Sequence, residues 1–484
     1  MDPISQAPID RPPPLRHGNS IPSASPTPHH RGVPVWGHAT MSVRSVSQLL
    51  IPVLLPFFGT ACAQLREQPL SAEKARAAFA KRTIDDPALL AFLAQNGAST
   101  GSWDVNRLTL LAVYFHPDMA LARAEYDEVA AGLKTARMRP NPVLTFSPQF
   151  ASYRASEFTP WFIGGNVAVP VETAGKRSKR IAHSLAMAEA ARWRMSMRAW
   201  AARSRVRAAL LDVFSSQENT RLLESEQALH EDAIRKLTAQ MEAGDVSPFE
   251  LTQARLMLNR TRLAIQDARR NTATARARLA ASVGLPLEAL QCVRPDFSTF
   301  ERLPPPTKAA RDALTGRADL MGLLAEYAAA EAALKLELAK QYPDIHPAPG
   351  YDYNSGQNRW QIGINFVLPL NQNRGPIAEA AARRQTAEKR FLARQAAIQA
   401  ELDSARAAYD TSREKAATAA LLAREAERAA DTSQKMVEAG NISALELTRR
   451  RIESSAAKLA LLTAKIEAQA AAGILEDAAQ APLR

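Results

Sequence analysis

Two parts of this chain alternate strictly between apolar and polar side chains, and two much longer parts contain no glycine or proline at all. In "NPVLTFSPQF" (Asn141–Phe150), Leu144, Phe146 and Phe150 alternate with Thr145, Ser147 and Gln149. "WFIGGNVAV" (Trp161–Val169) sets Trp161, Ile163, Val167 and Val169 on one face and Asn166 on the other. The texture returns in "YDYNSG", with Tyr351 and Tyr353 against Asp352 and Asn354. It continues in "NRWQIGINFVLPL", with Trp360, Ile362, Ile364, Phe366 and Leu368 against Gln361, Gly363 and Asn365. Period two predicts strands near 141–152, 160–171, 348–356 and 358–369, the second and fourth reaching Pro170 and Pro369.

The uninterrupted tracts are 176–243 and 377–439, each following a strand pair. As helices they would be roughly 100 and 95 Å long. Shorter clear tracts follow, 249–283 ending at Gly284 and 441–472 ending at Gly473. Helices of such length must pair, and Phe391, Ile398, Leu402, Ala405 and Tyr409 repeat with coiled-coil spacing. Helices of moderate length over 117–139 and 317–342, closed by Pro140 and Pro343, precede the two strand pairs. Residues 64–115 read as weakly helical.

Where each long tract ends, the chain says nearly the same thing twice. "EAGDVSPFELTQAR" (Glu242–Arg255) and "EAGNISALELTRRR" (Glu438–Arg451) lie 438 − 242 = 196 residues apart. This offset implies a duplicated unit of helix, two strands, long helix, turn and shorter helix. The predicted turns are helical-hairpin tips, comprising Gly244, Asp245, Val246, Ser247 and Leu251 in one copy and Gly440, Asn441, Ile442, Ser443 and Leu447 in the other. The domain reading is therefore a first repeat over 64–290, a linker over 291–316 and a second repeat over 317–480.

Composition changes this picture mainly at the start. Residues 1–40 are rich in proline and histidine and could bury no core, so they read as a disordered leader or a mis-assigned start. Residues 41–63 have the pattern of a secretion signal: Arg44, the apolar run Leu49–Phe58, then Ala61-Cys62-Ala63. Cys62 is a candidate for lipidation, although Gly59 stands where leucine is usual; cleavage after Ala63 would instead leave Cys292 alone. The formal charge of +12 comes from arginine and glutamate mixed along helices, which marks a solvated helical surface and not a nucleic-acid-binding tail.

No catalytic constellation stands out, and the expectation is a protein that is not an enzyme and holds no cofactor or metal. His17, His29, His30 and His38 lie in the leader, while His116, His183, His230 and His346 lack ligand spacing. Trp193, Met195, Met197 and Trp200 read as packing. Lys176, Arg177, Lys179 and Arg180 follow the first strand pair without a phosphate-loop pattern and are expected to face water or lipid headgroups.

Four strands of this length suit a transmembrane barrel wall but cannot close alone, since small barrels need about eight. Sharing between chains would close the sheet, with an open bore if three chains contribute. The apolar face then meets lipid through Trp161, Ile163, Val167, Trp360, Ile362, Ile364 and Phe366, and Gln361 and Asn365 line the bore.

This layout, the joints "AVPVETAGKRSKRIA" (Ala168–Ala182) and "FVLPLNQNRGPIAEA" (Phe366–Ala380) and the paired tips resemble the TolC family of outer-membrane efflux channels over most of residues 64–480. "PVETAGKR" is most similar to the cobalt-zinc-cadmium branch. The resemblance implies a mainly α fold with a β-barrel portion: a homotrimer sharing one twelve-stranded outer-membrane barrel above a periplasmic coiled-coil tunnel. It implies docking of the tips to a periplasmic adaptor, and an inner-membrane pump of the RND type as a further partner. Function would then be passive exit of exported cargo, such as divalent heavy-metal cations. The alternatives are a duct for drugs or organic solutes, or an adaptor-type coiled-coil protein. Family likeness also places inward-facing acids on the second hairpin, which makes Glu446 the candidate tip gate and Glu250 its counterpart, although Arg449, Arg450 and Arg451 depart from an all-acidic constriction.

Overall fold

Polar caps and prolines divide the start of the folded region into short helices. In the computed structural model, α1 (Ala72–Ala80), α2 (Pro87–Gln95) and α3 (Val105–Phe115) begin at Ser71, Asp86 and Asp104, whose side chains accept hydrogen bonds from first-turn N–H groups. Helix α4 (Pro117–Arg137) follows α3 with only His116 between them, because Pro117 cannot extend the preceding helix. Strands β1 (Val143–Phe150) and β2 (Trp161–Ala168) follow, then α5 (Lys176–Glu242) and α6 (Pro248–Val283). After a 3-10 turn at Leu287–Leu290, the second copy runs α7 (Ala318–Ala339), β3 (Ile345–Asn354), β4 (Gln357–Phe366), α8 (Arg374–Glu438) and α9 (Ala444–Ala479). The structure describes residues 67–98, 102–150, 161–291, 293–297, 299–303, 316–354 and 357–482. The leader, the signal segment and Cys62, like Cys292 and most of the linker, lie outside the described residues. All the elements fall in the unit Ser71–Arg484.

The four strands form one antiparallel sheet in the order β1-β2-β3-β4. Strand β3 starts at Ile345, earlier than the alternation alone suggested, and runs through Pro347 and Pro349. Odd-numbered residues there direct their backbone groups toward β2, where Val169 N–H reaches Pro347 O at 2.9 Å and Ile345 exchanges bonds with Val171. The missing proline N–H groups therefore leave the pairing with β4 intact.

The long helices pack mainly through small and aliphatic residues. Ile398, Leu402, Ala405 and Tyr409 of α8 are buried against Leu475, Ala471 and Ala478 of α9, with Phe391 at the margin. A larger core surrounds the middle of α5. Leu89 and Leu93 of α2, Leu108 and Leu111 of α3, and Val206, Leu210 and Val213 of α5 pack there with Leu279 and Val283 of α6. Phe297 and Phe300 from beyond α6 complete it. Helices α2 and α3, which lie in the weakly helical stretch, are held by this shared core.

Two helix boundaries differ from those that glycine and proline suggest. Helix α9 passes through Gly473 to Ala479. A Cβ at position 473 would collide with the Arg207 guanidinium, which crosses α9 at that point, so the glycine permits close approach and ends nothing. Helix α8 starts at Arg374, with Gly375 and Pro376 inside its first turn, where the missing N–H of proline costs no helical bond.

The caps that close the two returning helices also keep the duplication offset, since Gly284 (φ +81°) and Gln480 (φ +47°) are 480 − 284 = 196 residues apart. A Cβ at Gly284 would lie 2.8 Å from His116 Cα and 2.9 Å from Phe115 O, both backbone atoms. Gly284→Ala is thus expected to combine left-handed strain of about 1–2 kcal/mol with an overpacking cost of about 1–3 kcal/mol. Gly244→Ala, at φ +84° with nothing within 4 Å, should incur the strain alone. Thermal melts of both variants check this; equal shifts would refute the contact argument.

Candidate functional site

The sheet sorts its side chains by register. Leu144 faces Val167, Phe150 faces Trp161, Ile163 faces Tyr353, and Tyr351 faces Trp360. Directly paired residues share a face. One face therefore carries Leu144, Phe146, Phe150, Trp161, Ile163 and Val167, continuing through Tyr351, Tyr353, Trp360, Ile362, Ile364 and Phe366. The other carries Thr145, Ser147, Gln149, Asn166, Asp352, Gln361 and Asn365. On the apolar face Trp360 is 82% and Ile362 80% exposed, so this protomer buries little of it. Strands β1 and β4 are both edges, each with one unpaired side among the described residues.

Strands pass into the long helices through left-handed turns, Ala174-Gly175 in the first copy and Gln372-Asn373 in the second. Here the cations after β2 take a role different from the expected one. Lys176 is buried, and its Nζ donates to Asp344 Oδ1 and Tyr342 O at 2.7 Å each. Burial raises the Asp344 carboxyl, but the bonds from Lys176 and Thr173 outweigh it and hold the group below its ordinary value. Arg180 pairs with Glu172 and donates to the carbonyls of Ala136 and Met138, and Arg177 donates to that of Arg137. These residues fasten the end of α4 and the start of β3 to the first turns of α5; Lys179 caps locally, on Ala174 O.

At the opposite end of the long helices, both tips are Schellman turns. Gly244 N–H reaches Met241 O and Asp245 N–H reaches Gln240 O, at 3.0 and 2.9 Å. Gly440 and Asn441 repeat the pair with Val437 and Met436, at 3.0 and 2.8 Å. Gly244, Asp245, Ser247, Gly440, Asn441 and Ser443 are exposed, and Val246 and Ile442 are half-buried. Leu251 and Leu447 are not surface residues: each is 5% exposed, and Leu251 packs with Leu237 and Ala233 of α5 and Leu445 of α9. Leu251 holds the tips together from inside. Phe249, two residues past Ser247, is instead 69% exposed.

The two tip acids are both paired. Glu446 lies 3.1 Å from Arg450 and 3.9 Å from Arg449, and Glu250 lies 3.4 Å from Arg449. The Glu446 backbone N–H is also capped by Ser443 Oγ at 3.2 Å. Just inside the tips a polar tie joins the hairpins. Lys236 Nζ donates to Asp232 Oδ2 at 2.6 Å and to Thr448 Oγ1 at 2.7 Å, and Thr448 Oγ1 donates to the same Asp232 oxygen at 2.9 Å. Thr448 is 1% exposed. The Lys236 bond, with those of Thr448 and Arg235, holds the Asp232 carboxyl below its ordinary value against burial.

Residues 112–285 match the outer membrane efflux protein family. The cobalt-zinc-cadmium resistance protein CzcC of Cupriavidus metallidurans is 23% identical over 279 residues, 57% of this chain and 65% of that protein. The match thus spans just under two thirds of that relative's length. Among solved structures, the outer membrane protein VceC of Vibrio cholerae superposes with a TM-score of 0.63 at 16% identity, covering 78% of this chain and 97% of that one. CusC gives 0.62 at 17%, covering 79% and 95%. The chain is thus similar to outer membrane efflux proteins over residues 112–285. Its fold is that of the TolC-like channels: paired helical hairpins and a four-stranded sheet.

The sheet face and the hairpin tips were visible in the sequence, but the tie was not. Lys236 and Thr448 are 448 − 236 = 212 residues apart in the chain and carry no motif. The expected packing of Trp200 is more polar than it reads, since its Nε1 donates to Asp477 Oδ1 at 3.0 Å. Trp193 and Met195 are half-buried, and Met197 is 37% exposed.

Proposed function

We propose that this protein is the outer-membrane channel of a tripartite efflux system, through which cargo delivered by an inner-membrane pump leaves passively. The observation that carries this reading is the sheet: an apolar face open to its surroundings, a polar face behind it and two unpaired edges. In hydrocarbon each unpaired edge group costs several kcal/mol, so the sheet needs neighbours on both sides. Three copies placed edge to edge supply them and leave the polar faces around a bore. Trp161, Ile163, Val167, Trp360, Ile362, Ile364 and Phe366 then meet lipid, and the long hairpins extend into the periplasm as a tunnel. Similarity to CzcC favours divalent heavy-metal cations as cargo, with an RND-type pump as partner.

The exposed tip residues Gly244, Asp245, Ser247, Gly440, Asn441 and Ser443, with Val246 and Ile442, form the surface for a periplasmic adaptor, and Phe249 extends it. Glu446 and Glu250 form the acidic part of the tip constriction in compensated form, because Arg450 and Arg449 neutralise them. Closure then depends more on the Lys236–Asp232–Thr448 tie, which must break if the second hairpin is to move away from the first. Side chains about one third exposed weaken such a bond, so its removal is worth about 1 kcal/mol, or roughly a fivefold shift toward the open tip.

Planar-bilayer recording of Lys236→Met tests the tie, with higher open probability expected. Cysteine cross-linking at Ser247 and Ser443 in membranes containing the adaptor tests the tips. Unchanged open probability together with no cross-link at either position would refute the reading. A stable water-soluble monomer in the absence of detergent would refute the shared barrel.

A further inference from the structure

Roughly 40 Å along α6 from the tip, the chain carries a cleft that none of the channel features uses. It encloses about 500 Å3, a volume typical of small-ligand sites. Its floor is aliphatic, made by Val213 of α5, Leu279 of α6, Leu290 of the 3-10 turn and Val293, all at most 8% exposed. Its mouth carries two arginines, Arg276 from α6 and Arg294 from the segment after the turn. Both are exposed, and neither has an acidic or hydrogen-bonding partner among the described residues. This sets them apart from their neighbours, since Arg269 meets Glu224 at 2.8 Å and Arg221 meets Glu218 at 2.8 Å.

The cleft continues into a shallower groove between α5 and α6, sharing Gln217 and Arg276 with it. Arg221 and Arg269 line that groove with Glu224, so cations outnumber acids along the whole path. Charge and floor together select the occupant. A bare polyanion would satisfy the arginines but leave the aliphatic floor wet. An uncharged apolar ligand would fill the floor and leave both guanidinium groups without acceptors. A short run of peptide with one aliphatic side chain between carboxylates satisfies both, because guanidinium binds carboxylate through paired N–H donors.

We propose that this cleft docks an extended acidic peptide segment of a partner protein, with an aliphatic side chain on the floor and flanking carboxylates on Arg276 and Arg294. The site lies away from the tips and is independent of what the channel carries.

Fluorescence anisotropy on the detergent-purified full chain tests this, using a fluorescein-labelled Asp-Glu-Leu-Glu-Asp peptide as probe. Saturable binding is expected, weakened at least about tenfold by Arg276→Glu with Arg294→Glu. Arg255→Glu with Arg260→Glu, exposed on the same helix outside the cleft, should leave binding within about twofold. A probe with serine in place of leucine should also bind at least about fivefold more weakly. The proposal is overturned by absence of saturable binding, or by binding indifferent to the two cleft arginines. It is equally overturned if inorganic polyphosphate competes as well as the peptide and serine replaces leucine without loss, since the surface would then be a simple anion patch.

Discussion

Asp319→Ala is expected to lower stability by about 3–5 kcal/mol, the range for removing one partner from a buried ion pair. Asp319 is 6% and Arg317 3% exposed. The carboxylate accepts from Arg317 Nε and Nη2 at 3.0 and 2.8 Å, from Arg394 Nε at 2.9 Å, and from Leu320 N–H at 2.9 Å. Arg317 also donates to Ala478 O, which fixes the start of α7 to the end of α9. With the carboxylate gone, two guanidinium groups remain close together, and only Glu401, 3.7 Å from Arg317 and 2.6 Å from Arg394, is left to balance them. Thermal unfolding followed by circular dichroism at neutral pH should show the loss, and Asp319→Asn should recover part of it by keeping acceptors. A wild-type melting temperature for the alanine variant would refute the account.

The same site predicts a pH dependence. Burial pushes the Asp319 carboxyl up, but the bonds from Arg317 and Arg394 prevail and hold it below its ordinary value. Its stabilisation is therefore complete above the ordinary carboxylate range and fades as pH falls through the lowered folded value. Wild type and Asp319→Ala should converge in acid.

The features most legible in the sequence were those set by local periodicity. Alternation at Trp360–Phe366 is imposed by a sheet with two unlike faces. The uninterrupted tracts before Gly244 and Gly440 reflect helices that cannot tolerate a break. The paired tips were legible because the same turn chemistry occurs twice. Misreadings arose where a residue type answers to more than one physical demand. Gly473 resembles a helix stop, but its purpose is to let Arg207 pass, a fact held by a side chain 473 − 207 = 266 residues away. The strand read from 348 starts at Ile345, because alternation is silent on Pro347, whose backbone carbonyl pairs with Val169. Lys176 and Arg180 looked like surface cations, and only the approach of Asp344, Glu172 and the α4 carbonyls turns them into fasteners. Leu251 is inside because two hairpins press together around it, which no single hairpin's pattern reveals.

Ile362→Arg and Gln361→Arg, one residue apart, should have opposite consequences. Strand β4 runs Gln357–Phe366, so both positions lie at its centre and hence near the middle of the apolar band. Register pairs Ile362 with Pro349 and Gln361 with Gly350, which places them on opposite faces of the sheet. If the apolar face meets lipid, arginine at 362 must sit in hydrocarbon at a cost of about 2–4 kcal/mol per chain. A shared barrel incurs it once in each protomer, so the fraction of trimer recovered from membranes should fall steeply. Arginine at 361 would enter a water-filled bore at little cost to assembly. Its effect should appear in single-channel recordings as lower cation conductance, because a ring of positive charge repels cations. Equal loss of trimer from both variants would show that the two faces do not divide between lipid and bore. Loss from Gln361→Arg alone would show that the sheet faces the other way.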